Sequence, residues 1–243
     1  MKEEISRFLE QKHLSTNSRS AYTYDLEQFV TLTHGKITDT NLRIYQASIA
    51  DFKPAVQKRK LSAVNQFLHH LYRKRLVEDF HRLELPKVGI AKDHDAELLD
   101  LSIFWEDTKE SKGRLIALLI VELGLLPSEI LSLKVADINL DFQIIRIEKA
   151  GQRRIVEIPD PLTSVLEEVM DGTYLLEKNG KAYSRQWGFR QLEAFLAEKE
   201  QNSLSAQSLR EQYILRQRER GVDVAQIAKN LGLKTMVTLE KYR

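Results

Sequence analysis

The last stretch of the chain, Ser203–Arg243, reads S-L-S-A-Q-S-L-R-E-Q-Y-I-L-R-Q-R-E-R-G-V-D-V-A-Q-I-A-K-N-L-G-L-K-T-M-V-T-L-E-K-Y-R. Its periodicity predicts a run of short helices. Ser208 is placed to cap one, Gly221 stops it, residues 222–231 carry apolar side chains at helical spacing, and Gly232 stops that helix in turn. Tyr242 follows close behind.

Upstream of this stretch, residues 143–148 and 153–158 alternate apolar and polar side chains around K-A-G-Q, the pattern of a β-hairpin. Before the hairpin, G-R-L-I-A-L-L-I-V-E-L-G-L (residues 113–125) is apolar nearly all round and predicts the buried central helix of a core. Ser102 is placed to cap a helix ahead of it. After the hairpin come a helix over 161–170, a turn at Lys178-Asn179-Gly180-Lys181, and a helix capped by Ser184 whose Trp187, Phe189, Leu192 and Phe195 form a core stripe. Residues 85–98, with Pro86, Gly89 and the charged run Lys92-Asp93-His94-Asp95, lack apolar periodicity and predict a linker.

Residues 1–84 read as a small helical domain. Thr16 is a candidate cap for a helix that aligns Tyr22, Leu26, Phe29 and Val30, and Gly35 ends it. A shorter helix follows over 41–52. Pro54 suits a first helical turn, and Val56, Leu61, Val64, Phe67, Leu68 and Leu71 continue as a buried stripe. Lys58, Arg59 and Lys60, then Arg73, Lys74 and Arg75, read as the outward residues of this helix and its end. The ordinary reading of such clusters is a solvated face that favours a helix C-terminus. The fold class expected is therefore mainly α with a small antiparallel β-sheet, in two domains, 1–84 and 99–243.

An apolar fraction of 42% is that of an ordinary globular protein. The chain has no apolar run long enough to span a membrane and no hydrophobic signal core near its start, so a cytoplasmic location is expected. Cysteine is absent, which excludes disulfides and thiolate metal sites, and the six histidines show no ligand spacing, so no metal is expected. The net charge of +2 is unevenly distributed: residues 1–85 carry 14 basic and 10 acidic side chains, 86–200 carry 15 and 21, and 201–243 carry 8 and 4. Two cationic ends suit a protein that grips a polyanion from two sides.

The order Ser205-x-x-x-Leu209-Arg210, then Leu231-Gly232, then Tyr242 resembles the carboxyl half of the tyrosine recombinase (phage integrase) family. G-L-L-P-S-E-I-L-S-L-K-V-A-D is similar to that family's glycine-leucine-arginine-x-serine-glutamate segment. L-S-T-N-S-R-S-A-Y-T-Y-D-L-E-Q-F and K-L-S-A-V-N-Q-F-L-H-H-L-Y-R-K-R resemble the amino-terminal core-binding domain of its Xer-type members. The resemblance spans nearly the whole chain. It implies a two-domain DNA-breaking-rejoining architecture that clamps double-stranded DNA, with no small-molecule substrate and no cofactor, because a covalent 3′ phosphotyrosine conserves the energy of the broken bond. It further implies Tyr242 as nucleophile, Arg210 as a phosphate-holding arginine and Lys149 as the acid for the leaving 5′ oxygen. Arg154 matches the last basic member of the family's hairpin motif. Lys58, Arg59, Arg73 and Arg75 become candidate phosphate contacts.

Three family positions are substituted. Leu126 stands where the family has its first catalytic arginine, Gln207 where it has its first histidine and Leu233 where it has its second. A leucine donates nothing to a phosphate, and glutamine donates a hydrogen bond but shuttles no proton. The reading that follows is a Xer-like DNA-binding protein that cuts DNA poorly or not at all, partnering an active relative or itself. Family members usually continue past the tyrosine into a tail that packs on a neighbouring subunit, whereas only Arg243 follows Tyr242. One alternative is an active recombinase in which Arg146, Arg153 or Arg154 replaces the missing arginine. Another takes V-D-V-A-Q-I-A-K-N-L-G-L as the start of a helix-turn-helix transcription regulator.

Overall fold

The computed structural model describes residues 1–86, 97–149 and 151–242. The chain divides into two compact units, Met1–Lys92 and Asp93–Arg243. Most of the expected linker, residues 87–96, lies outside the described residues, as does Ala150 in the hairpin turn.

The first unit is built from α1 (Lys2–Glu10), α2 (Thr16–Leu32), α3 (Asp39–Ser48) and α4 (Pro54–Arg73). Helix starts follow local chemistry. Ser15, rather than Thr16, caps α2 by accepting from the Ser18 N–H, and Thr38 caps α3 by accepting from Asn41. Pro54 opens α4, where a missing N–H costs nothing. Leu26 and Phe29 of α2, Tyr45 of α3, and Val64, Phe67 and Leu71 of α4 are fully buried together, so the helical stripes read from the sequence form the core except for Val56, which is half-buried near the start of α4 and outside it.

One residue departs from expectation. Lys60 is only 3% exposed, not outward, because the buried Asp25 carboxylate draws it in. Its ammonium donates to Asp25 Oδ1 at 2.9 Å and to Gln28 Oε1 at 2.6 Å, and Arg59 donates to the other Asp25 oxygen.

The second unit is organised around α5 (Ser111–Leu123), whose residues from Leu115 to Val121 are buried without a break. Ahead of it, Ser102 begins a short 3-10 turn rather than an α-helix. Helix α6 (Pro127–Ser132) leads into a three-stranded antiparallel sheet, β1 (Ile138–Asn139), β2 (Ile144–Lys149) and β3 (Gln152–Glu157), in that spatial order. The β2–β3 hairpin pairs Ile145 with Val156, Ile147 with Arg154 and Lys149 with Gln152. Ile145, Ile147 and Val156 reach the core, as period-two alternation requires.

Helix α7 (Asp160–Glu167) follows. The expected turn at 178–181 is the tip of a small hairpin, β4 (Glu177–Lys178) with β5 (Lys181–Ala182), in which Asn179 and Gly180 both take positive φ. Helix α8 (Arg185–Glu198), capped by Ser184, lays Leu192 and Phe195 into the core and packs Trp187 partly against it, whereas Phe189, also expected there, is half-buried outside it. Helix α9 (Ala206–Glu219) is capped by Ser205, with Ser208 as the N–H donor rather than the cap. Helix α10 (Val224–Asn230) precedes a closing 3-10 turn, Val237–Tyr242. That turn stands where a helix-turn-helix protein would need its recognition helix. Among the described residues no helix is long and apolar enough to cross a membrane.

Candidate functional site

Three chain segments meet at Arg210. Its Nε donates to the Gly124 carbonyl at 2.8 Å and its Nη2 to the Leu231 carbonyl at 2.8 Å. Gly124 ends α5 at φ +65°, where a Cβ would stand 2.6 Å from Leu231 and 2.7 Å from the Tyr213 ring. Only glycine lets those helix ends come so close. Both carbonyls belong to helix C-termini, where partial negative charge favours a cation. Burial pulls the Arg210 guanidinium below its ordinary value, and the Glu129 carboxylate opposes that shift. The group stays charged, with N–H groups beyond the two committed to these carbonyls.

Beside Arg210 a second guanidinium has all three of its nitrogens engaged. Arg154 of β3 pairs fork to fork with Glu129 of α6, Nη1 to Oε1 at 2.9 Å and Nη2 to Oε2 at 2.8 Å, and its Nε donates to the Asn230 carbonyl at 2.8 Å. The pair is nearly closed off from water, with Arg154 at 11% and Glu129 at 4% side-chain exposure. Glu129 Oε2 also accepts the Leu126 N–H at 2.9 Å, which fixes the start of α6. Burial alone raises the Glu129 carboxyl, but hydrogen bonds from Arg154 and Leu126, with the charges of Arg154 and Lys149, outweigh it and hold the group below its ordinary value. Gly232, at φ +65°, lies so near that a Cβ would stand 2.9 Å from Arg154 Nη1.

Leu126, Lys149, Arg154, Arg210 and Leu233 all line one open hollow of about 1390 Å³. Among the described residues six cations surround it (Lys149, Arg153, Arg154, Arg210, Arg220 and Lys229) against three carboxylates (Glu122, Glu129 and Glu157). Such a surplus in a concave site attracts anions. Lys149, at the exposed end of β2, donates to Ser128 Oγ at 3.2 Å.

Tyr242 and Gln207 are not among the described residues lining the hollow. Gln207 is exposed on the first turn of α9. Tyr242 is half-buried against the Tyr213, Ile227 and Leu231 cluster, and its hydroxyl donates to Glu211 Oε1 at 2.9 Å. It remains close enough to Arg210 to act on it electrostatically. Sequence reasoning missed Glu211, because the two partners lie 31 residues apart and an acidic residue after an arginine carries no pattern.

The other candidate contacts belong to the first unit. Lys58, Arg73 and Arg75 are exposed, whereas Arg59 is 39% exposed and bound to Asp25. Among the described residues no group of histidine and carboxylate side chains could hold a metal ion.

Comparison with known proteins gives the family and the fold. Residues 94–243 match the model of the phage integrase family. A protein of Streptococcus sanguinis (strain SK36), "Tyrosine recombinase XerD-like", is 68% identical over 243 residues, covering 100% of both chains. Among solved structures, XerH site-specific recombinase bound to difH substrate in a pre-cleavage complex is similar over 100% of this chain and 81% of that one, at 15% identity and a TM-score of 0.71. A lambda integrase tetramer bound to a Holliday junction is similar over 99% of this chain and 76% of that one, at 15% identity and a TM-score of 0.75. At such identities the two structures speak for the fold, two domains of the DNA-breaking-rejoining kind. Family model and full-length relative speak for descent: the chain belongs to the phage integrase family, as a XerD-like tyrosine recombinase.

Proposed function

We propose that this chain binds double-stranded DNA in the clamp manner of its family, in the cytoplasm, and that it cuts and rejoins DNA poorly or not at all. In this reading Arg210 holds a backbone phosphate, Lys149 stands near the leaving oxygen, and Tyr242 occupies the nucleophile's position. Lys58, Arg73 and Arg75 contact phosphates from the first unit. Two solved relatives in fold are bound to DNA, one of them as a tetramer, which supports duplex DNA as the ligand and either self-association or an active relative as the protein partner.

The observation that carries the reading is that Leu126 gives the hollow no donor, while Arg154, which lines the same hollow, is already committed to Glu129. Arg154 has both ends of its fork on Glu129. Arg153 is paired with Glu148, and Arg146 donates to the Ala136 carbonyl and faces Asp137 at 3.7 Å. Losing one preorganised phosphate donor costs about 10²- to 10³-fold in rate, and losing a positioned acid or base costs roughly 10²- to 10⁴-fold. Leu126, Gln207 and Leu233 together therefore leave little cleavage, even though such effects do not simply multiply.

The test is incubation with a nicked suicide duplex followed by denaturing electrophoresis, with an active relative alongside. No covalent adduct is expected where the relative forms one. An adduct that disappears in Tyr242→Phe would overturn the reading.

A further inference from the structure

We propose that Glu211 is a positioning residue for Tyr242, holding the phenol at a resting place outside the hollow that Arg210 and Lys149 line. The proposal rests on the reading of Tyr242 as the nucleophile's position and of the hollow as a phosphate seat.

Glu211 follows Arg210 on α9, so its side chain leaves the helix about 100° round from the guanidinium. From there its Oε1 accepts the Tyr242 hydroxyl at 2.9 Å. An ionised carboxylate only accepts, so the phenol proton points at Glu211. Tyr242 also closes the 3-10 turn Val237–Tyr242, whose Leu239 is buried in the same cluster as Tyr213 and Leu231. The hydrogen bond thus adds a side-chain tether to the end of a short turn, at whose start the Leu239 N–H donates to the Met236 carbonyl at 2.8 Å.

A phosphodiester seated at Arg210 would bring negative charge toward the Glu211 carboxylate. Like charges repel most strongly where water is scarce. Tyr242 therefore gives up its bond to Glu211 before its oxygen approaches a phosphate, and the carboxylate disfavours that approach as long as the bond holds. Glu211 is a reason for slow cleavage separate from the three substituted positions.

The experiment is amide hydrogen exchange across residues 237–242 in the wild type, Glu211→Ala, Glu211→Gln, Tyr242→Phe and the Glu211→Ala/Tyr242→Phe double variant. Exchange across α9 serves as the control for folding. Each truncating single variant is expected to speed exchange of the turn roughly tenfold, the scale of one charge-assisted hydrogen bond removed. The double variant should be no faster than either single, and Glu211→Gln, whose amide oxygen still accepts, should stay near the wild type. Additive effects, or no effect, would overturn the proposal. If Glu211→Ala disturbs α9, the comparison of Glu211→Gln with Tyr242→Phe decides.

A second arm adds a mixed-sequence duplex at concentrations where gel retardation shows binding. The wild-type turn should then exchange as fast as in Glu211→Ala, while that variant changes no further. Bound DNA that leaves the wild-type turn protected would overturn the release of Tyr242. A duplex that is never retarded removes the DNA reading, and the variants without DNA still judge the hold on Tyr242.

Discussion

Both units set one buried carboxylate among two cations, and they dispose of the surplus charge differently. In the first unit Asp25, fully buried, contacts both Lys60, inside the packed core, and Arg59, 39% exposed at its edge, so both cations are spent on it. In the second unit Glu129 contacts Arg154, while Arg210 is held by the uncharged carbonyls of Gly124 and Leu231. Its charge faces a hollow of about 1390 Å³. The first arrangement ties α2 to α4. The second leaves a cation for an incoming anion, and the difference lies in which groups satisfy the arginine rather than in how many basic residues are present.

The largest expected effects come from removing the two carboxylates. Asp25→Ala strands Lys60 in the core and should cost about 3–5 kcal/mol, the range for breaking a buried pair on one side. Glu129→Ala strands Arg154, 11% exposed, at the wall of the hollow, so its cost should fall toward the lower end of that range. The sharper contrast is rescue. Sulfate, tested at one concentration in both variants so that its general effect cancels, should recover part of the loss in Glu129→Ala and little in Asp25→Ala, where the stranded Lys60 is 3% exposed. Urea unfolding with and without sulfate measures both, and equal recovery would erase the distinction between a closed triad and an open one.

Much of the fold could be read from the letters because it depends on local pattern. The β2–β3 hairpin, the apolar α5, the glycines that end α9 and α10, and the buried stripe of α4 each follow from spacing within one segment. The site was only partly legible. Arg210, Lys149, Arg154 and the substitutions at Leu126 and Leu233 could be found by resemblance, and the structure brings those five around one hollow. What holds them could not, because Arg210 is anchored by backbone carbonyls that every residue type possesses. Lys60 looked like its outward neighbours, since nothing local distinguishes a lysine that meets a buried aspartate 35 residues away. The bond between Glu211 and Tyr242 was hidden for the same reason.

An intermediate effect tests the contrast from the DNA side. Replacing Arg73, Lys74 and Arg75 with glutamine should weaken binding to duplexes of any sequence. It should also flatten the logarithmic salt dependence by about 0.9 for each phosphate that is no longer neutralised. Arg59→Gln should instead lower stability and leave the slope nearly unchanged, because that guanidinium is already engaged by Asp25. Fluorescence anisotropy across a salt series separates the two. An unchanged slope in the triple variant would remove the first unit from the clamp, and a slope flattened by about 0.9 in Arg59→Gln would mean that Asp25 does not hold it from DNA.

The smallest effect concerns a group that the closed triad leaves behind. The Tyr45 hydroxyl is buried in the first unit and has no hydrogen-bond partner among the described residues. Burial, reinforced by the negative charge of Asp25, pushes its ionisation well above the usual phenol range. A neutral hydroxyl held dry without a partner is a desolvation cost with no return. Tyr45→Phe keeps the ring, including its edge-on contact with Phe29 at 4.9 Å, and removes only that cost. Thermal unfolding should therefore show no loss, and a gain of up to about 1 kcal/mol. A clear loss would mean that the hydroxyl has a partner, and Asp25, whose charge already acts on it, would then serve α3 as well as α2 and α4.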